Sequence, residues 1–258
     1  MTRWKASAIH LALSVLVLAT IGAILVWRWY PPGLFQMAHA DKLLLIIAGV
    51  DVAMGPLLTL IVYKQGKKSL KFDLAVIALL QLAAMGYGLH TVWQSRPVYM
   101  VAVIDRFNLV FASDMDPADV QAATDEYRQL PWLTVRTVAA VLPEDPKLRT
   151  EFLKRSSETG YDIHLMPRYY APYRKAVAQL LAHSATTDSF AARLAPDQAA
   201  DFASAVAATG RDPGQLRVVP VSSTRGDATM LIDAQTGDPL KPVALDPWPG
   251  ISPQRSPK

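Results

Sequence analysis

The chain has 258 residues, no cysteine and a formal net charge of +4. The lack of cysteine excludes disulfides, thiolate metal sites and cysteine nucleophiles. The basic excess lies within the first 95 residues, where Arg3, Lys5, Arg28, Lys42, Lys64, Lys67, Lys68 and Lys71 stand against Asp41, Asp51 and Asp73. The remainder is slightly acidic, so a nucleic-acid partner is not expected.

Three apolar stretches follow in order, about 8–28, 43–63 and 73–93. Each meets the roughly 20 residues that a helix needs to cross a bilayer. Residues 1–95 are therefore expected to be a three-helix transmembrane bundle. Arg3 and Lys5 before the first stretch, and Lys64, Lys67, Lys68 and Lys71 after the second, predict a cytoplasmic amino terminus and a cytoplasmic lysine loop. Three crossings then place the rest outside, in the periplasm of a Gram-negative cell. Trp27, Trp29, Tyr30 and Trp93 suit an aromatic belt at the outer interface. A cleaved signal peptide ending at Ala38-His39-Ala40 is the competing reading, but the first apolar core is too long for a usual signal sequence.

Asp51 stands near the middle of the second stretch, and a carboxylate in hydrocarbon is costly. Gln81 lies at a comparable depth in the third, so a tight hairpin predicts an amide donating to Asp51. The acid then either holds the bundle together or faces a groove that receives another transmembrane helix. A proton relay is disfavoured, because His10 and His90 lie toward opposite ends. Gly55-Pro56 predicts a kink one turn beyond Asp51, with Thr59 helping to satisfy freed carbonyls. Gly86 and Gly88 give the third helix a close-packing surface.

After Arg96-Pro97 the pattern becomes that of a soluble α+β domain, 96–246, with a mostly antiparallel sheet. Strands are expected at 98–104 and 108–112, separated by Asp105-Arg106-Phe107, or as one long bent strand. A helix is expected at 116–129 with Asp116 as its cap, a strand at 134–142, and an amphipathic helix at 146–159 ended by Gly160. A short strand at 163–166 and helices at 173–183 and 197–209 come next. Strands at 216–221, 228–233 and 242–245 then form a meander with turns at Arg225-Gly226 and Thr236-Gly237. Residues 247–258 form a proline-rich tail expected to be mobile.

Catalytic signatures do not emerge from this pattern. The five histidines are scattered, and there is no HExxH, GxSxG, P-loop or GxGxxG. No catalytic residue, cofactor or metal is expected, and the chain is read as not an enzyme. Arg225-Gly226-Asp227 is explained by a turn between strands, and Tyr161, Tyr169, Tyr170 and Tyr173 around Pro167 and Pro172 by a packed loop.

Several segments carry a family pattern. They are GVDVAMGPLLTLIVYKQGKKSLKFDLAVIALLQLAAMGYGLHTVWQSRPV, VIDRFNLVFASD, MPRYYAPY and LIDAQTGDPLKPVALDPW. The landmarks Asp51, Gly55, Pro56, Thr59, Asp73, Gln81, Tyr87, Gly88, Arg96, Pro97, Asp105, Arg106 and Phe107 keep fixed distances in it. In these the chain resembles the type IV pilin accessory proteins of the TfpX/TfpZ group. The resemblance implies a multi-pass inner-membrane protein that helps pilin subunits in stability, assembly or surface display. It implies a type IV pilin as partner, with inner-membrane pilus assembly components and the lipid bilayer as further contacts. Those landmark residues become candidates for partner binding or structure. Two other classes stay open at this point. One is a membrane-anchored sensor or ligand-binding protein, which lacks any output domain here. The other is a membrane-bound enzyme using Asp51, which lacks a second carboxylate, metal ligand or nucleophile at that depth.

Overall fold

The computed structural model describes residues 2–30, 34–37, 41, 42, 45 and 48–249, with 25, 36, 50 and 51 described in backbone only. Two compact units emerge. One holds residues 2–30 and 41–96, the other 34–37 and 97–249.

The first unit is helical. Helix α1 (Arg3–Trp29) starts where the Thr2 hydroxyl accepts from the Lys5 amide at 3.3 Å, a side-chain N-cap. The second apolar stretch departs from an ordinary helix: Gly49–Met54 forms a π turn, which passes into helix α3 (Gly55–Val62). The physical cause is Pro56. It has no N–H to donate, and its ring would meet the carbonyl four residues back in a regular α turn. A wider turn before it relieves both problems. Part of the 43–63 stretch lies outside the described residues. Helix α4 (Leu70–Gln94) completes the unit. Helices α1 and α4 are long and apolar enough to cross a membrane. Leu16, Ile61, Leu79 and Leu82 are between 63% and 70% exposed, the reverse of a core helix in a soluble protein.

The second unit carries a short helix α2 (Leu34–Met37), which packs onto the strand Asp227–Asp233, with Leu34 and Met37 buried. A sheet follows. Strands β1 (Pro97–Val103) and β2 (Arg106–Phe111) form an antiparallel hairpin in which Val103 pairs with Arg106. The turn between them is Ile104-Asp105. The predicted helix at 116–129 is two short ones, α5 (Pro117–Gln121) and α6 (Asp125–Arg128). The chain breaks at 122–124, where Thr124 takes an extended conformation as the N-cap of α6, and Ala123 and Tyr127 are both buried in the core. Strand β3 (Arg136–Ala140) leads to α7 (Pro146–Thr159), stopped by Gly160 at φ 68°. The predicted strand at 163–166 is a 3-10 turn, Ile163–Leu165, because Ile163 and Met166 are drawn down onto Phe152 and Pro167 cannot donate to a ladder. The sheet strand there comes later, as β4 (Tyr170–Pro172).

Helix α8 (Arg174–His183), strand β5 (Ala185–Thr186) and helices α9 (Thr187–Ala191) and α10 (Pro196–Ala207) lead to strands β6 (Leu216–Ser222), β7 (Asp227–Asp233) and β8 (Pro239–Val243). The turn at Gly237, φ 71°, lies where expected, and strand β8 follows it directly at Pro239, ahead of the expected 242–245. Residues 250–258 of the expected tail lie outside the described residues.

The sheet order is β4-β3-β1-β2-β6-β7-β8, with β5 on β6. Among the described residues five pairings are antiparallel and two, β1 with β3 and β2 with β6, are parallel. Among the described residues three apolar clusters pack on the sheet, the smallest being Phe152, Ile163 and Met166. Tyr99, Val101, Val110, Tyr127, Val138 and Tyr170 form one. Phe190, Phe202, Leu216, Leu231 and Val243 form another, with the Phe190 and Phe202 rings 5.0 Å apart. The halves join through β2 and β6, paired only at Phe107 with Val221 and Asn108 with Ser222.

Candidate functional site

In the helical unit the sequence landmarks converge on one polar seam. Ser7 Oγ donates to the Pro56 carbonyl at 2.9 Å, and His10 Nδ1 lies 2.6 Å from Thr59 Oγ1. Thr59 is buried and meets a side chain of α1, not a carbonyl of its own helix. The Gln81 amide lies directly against Gly55: a Cβ built there would come within 2.7 Å of its Cδ and 3.0 Å of its Oε1. Glycine is the residue that fits. Asp51 lies in the π turn just before this seam. Its side chain, and so the expected bond to Gln81, lies outside the described residues. Sequence reasoning missed the π turn, a distortion of a kind often found at functional sites. The signal available was the Gly-Pro step behind the acid.

The other landmarks are spread out. Asp73, one turn into α4, takes Lys67 Nζ at 2.6 Å and Ser69 Oγ at 3.1 Å, closing the lysine loop. Tyr87 is 76% exposed on α4, with Gly88 beside it. Arg96 donates to the Trp93 carbonyl at 2.8 Å and stacks over the Trp93 ring at 3.8 Å. Pro97 opens β1. Asp105 receives a two-pronged contact from Arg106, at 2.8 and 3.0 Å, and that guanidinium holds its carboxyl below the usual carboxylate range. Phe107 is fully buried, 5.9 Å from the Tyr173 ring.

A second charged cluster was not foreseen. Asp119 is fully buried, with Arg155 at 2.8 Å and Arg168 at 2.6 Å as charge contacts, and Arg155 also reaches Asp116 at 3.1 Å. It ties α5, α7 and the Pro167–Tyr169 turn together. The tyrosines behave as a packed loop. Tyr161 accepts from the Asp116 amide at 2.6 Å and donates to the Leu165 carbonyl at 2.8 Å, while Tyr170 and Tyr173 donate to His164 and Gly237 carbonyls. Burial raises the pKa of all three phenols.

The sheet unit also holds a cleft of about 540 Å³. It lies where the parallel strands β1 and β3 end, beyond Val103 and Ala140, and is walled by α7 and α8. The carboxyl ends of parallel strands are a common place for ligand crevices. Among the described residues no group of three metal-ligating side chains is close enough to hold an ion.

These features define a two-part protein, an apolar helical unit with a polar seam joined to a mixed-sheet unit with a cleft. The chain is 29% identical over 178 residues to the serogroup I fimbrial assembly protein of Dichelobacter nodosus, covering 68% of this chain and 69% of that one. It is 26% identical over 230 residues to the serogroup E1 protein, covering 88% and 89%. Against the protein of serogroups C1 and C2 it is 34% identical over 113 residues, covering 43% and 86%. The chain belongs to the family of these fimbrial assembly proteins. No family model matches it, and no solved structure does.

Proposed function

We propose that the protein is an inner-membrane assembly factor for type IV pili that acts by contact, without catalysis, on pilin subunits. The observation that carries the role is the match to three fimbrial assembly proteins, one of them across nearly nine tenths of both chains. The resemblance in the Asp51–Phe107 landmarks points to pilin as the client.

The chain's own geometry supports three crossings. Helices α1 and α4 are each long enough to span. The segment Leu34–Met37, between them in sequence, packs on β7 of the unit that follows α4. Two crossings alone would leave that segment and the sheet unit on opposite sides of the bilayer. A crossing by the 43–63 stretch puts them on the same side. The charge of the lysine loop then favours an outward sheet unit.

A pilin waiting in the membrane offers one apolar helix and an outward head. A bundle with an outward domain contacts both, and two modest contacts on linked modules add as avidity. The π turn, with Ala53 and Met54 exposed in it and Leu57 exposed just beyond, is the proposed surface for the pilin helix. Photo-crosslinkers at Ala53, Met54 and Leu57 in cells are expected to capture pilin. Adducts to unrelated proteins alone, or none, would refute the client assignment. Reporter fusions at the carboxyl terminus test orientation independently.

A further inference from the structure

The cleft beyond β1 and β3 has a chemistry that the assembly role leaves unexplained. Among the described residues of the sheet unit, six large apolar side chains are exposed, and four of them, Ile104, Val141, Leu142 and Leu153, line this cleft. Soluble surfaces seldom gather apolar groups this way without a partner. Its floor is Phe152, Ile163 and Ala176, all buried or nearly so.

Its charges are unbalanced in a specific way. Arg149 of α7 and Lys175 of α8 both line the cleft, and among the described residues neither side chain has an anionic partner. Of the two carboxylates there, Asp162 is already engaged: it accepts from the Ile163 amide at 2.6 Å and faces His164 at 3.8 Å. Glu144 is exposed and stands at the rim. Two open cations beside apolar walls suit a carboxylate flanked by aliphatic groups. The rim glutamate suits an N–H donor and opposes a purely anionic amphiphile.

The Ile104 backbone adds to this. It has φ 54° in the two-residue turn between Val103 and Arg106, a backbone region that favours glycine. A β-branched residue is a genuine outlier there. Its side chain is 51% exposed on the cleft, so the strain does not serve core packing. Strain of this kind concentrates at binding sites.

We infer that this cleft binds a short acidic peptide segment of a partner protein, an Asp or Glu flanked by aliphatic residues, with its carboxylate between Arg149 and Lys175. The inference goes beyond the assembly role and does not depend on which protein supplies the segment.

The test uses the full chain in lipid nanodiscs and a fluorescent pentapeptide, Val-Leu-Glu-Val-Leu. Saturable binding is expected, and the same peptide with Gln for Glu should bind about 10-fold more weakly, as loss of a charge-assisted contact gives. Arg149→Ala and Lys175→Ala should each weaken the acidic peptide several-fold and leave the Gln peptide unchanged. Both side chains are exposed, so unchanged melting temperatures confirm intact folding. Lys175→Glu should reverse the preference toward a peptide with Lys in place of Glu. No saturable binding, equal binding of the Glu and Gln peptides, or variants that bind like the native chain would overturn the inference. Binding of decanoate with no peptide binding would overturn it too, assigning the cleft to a free amphiphile.

Discussion

Gly55 and Gln81 meet so closely that the glutamine amide occupies the space a side chain at 55 would need. The contact joins α3 to α4 at the point where the π turn ends. Gly55→Ala pushes the flexible end of the Gln81 side chain aside and is expected to destabilise the helical unit by no more than about 1 kcal/mol. In a Gln81→Ala background the same substitution should cost much less, a coupling that a double-mutant cycle in thermal melts would read. Additive costs would show that the contact does not constrain the pair.

Asp119 is buried with two arginines whose side chains are only 31–34% exposed. Asp119→Ala removes the shared anion and leaves both guanidinium groups near one another. A loss of about 3 kcal/mol is expected, at the low end for broken buried pairs because the arginines retain some access to water. Chemical denaturation of the full chain measures it, and a loss below about 1 kcal/mol would contradict the structural role.

Ile104→Asn is expected to leave stability equal or raise it by about 1 kcal/mol, because asparagine tolerates the left-handed region that isoleucine resists. The same variant should weaken the acidic peptide, since the apolar wall is lost. Improved melting with diminished binding is the outcome that separates a strained functional turn from an incidental one.

Stability should fall at both ends of the pH range. The Arg106 guanidinium lowers the Asp105 pKa, His164 that of Asp162, and the Thr236 and Gln235 amides that of Asp233. In each case the unfolded chain binds the proton more readily. The stabilisation is therefore present above the ordinary carboxylate pKa of 3.8 and is lost as pH drops through the lower folded values. Tyr99 behaves in the opposite sense: burial pushes its pKa up to about 12. Its contribution is complete below pH 10, the ordinary phenol value, and disappears as pH climbs through the folded one. Melting temperatures from pH 3 to 11 should show both limbs, and Tyr99→Phe should flatten the alkaline one.

Local chemistry in the sequence located the elements that local chemistry controls. Asp145-Pro146 and Gly160 bound α7 where expected, and Gly210 follows α10, because caps and left-handed glycines act within one turn. The hairpin at Arg225-Gly226 appears as anticipated. Ile163–Leu165 was illegible because tertiary burial of Ile163 and Met166 overrode local preference, whereas the split between α5 and α6 had a local signal in Thr124, the cap of α6. The Asp119 cluster draws its members from three distant segments, so no window of sequence contains it. The polar seam was half visible: Gly55, Pro56 and Thr59 announced it, whereas its partners Ser7 and His10 lie on another helix.

The two-pair ladder between β2 and β6 has a consequence for where the sheet opens. Each half of the sheet has an apolar cluster of its own, while Tyr173 donates to the Gly237 carbonyl and Arg225 stacks on the Phe111 ring across the seam. Amide exchange is expected to find the line Phe107–Val221 and Asn108–Ser222 opening before the longer ladders on either side of it.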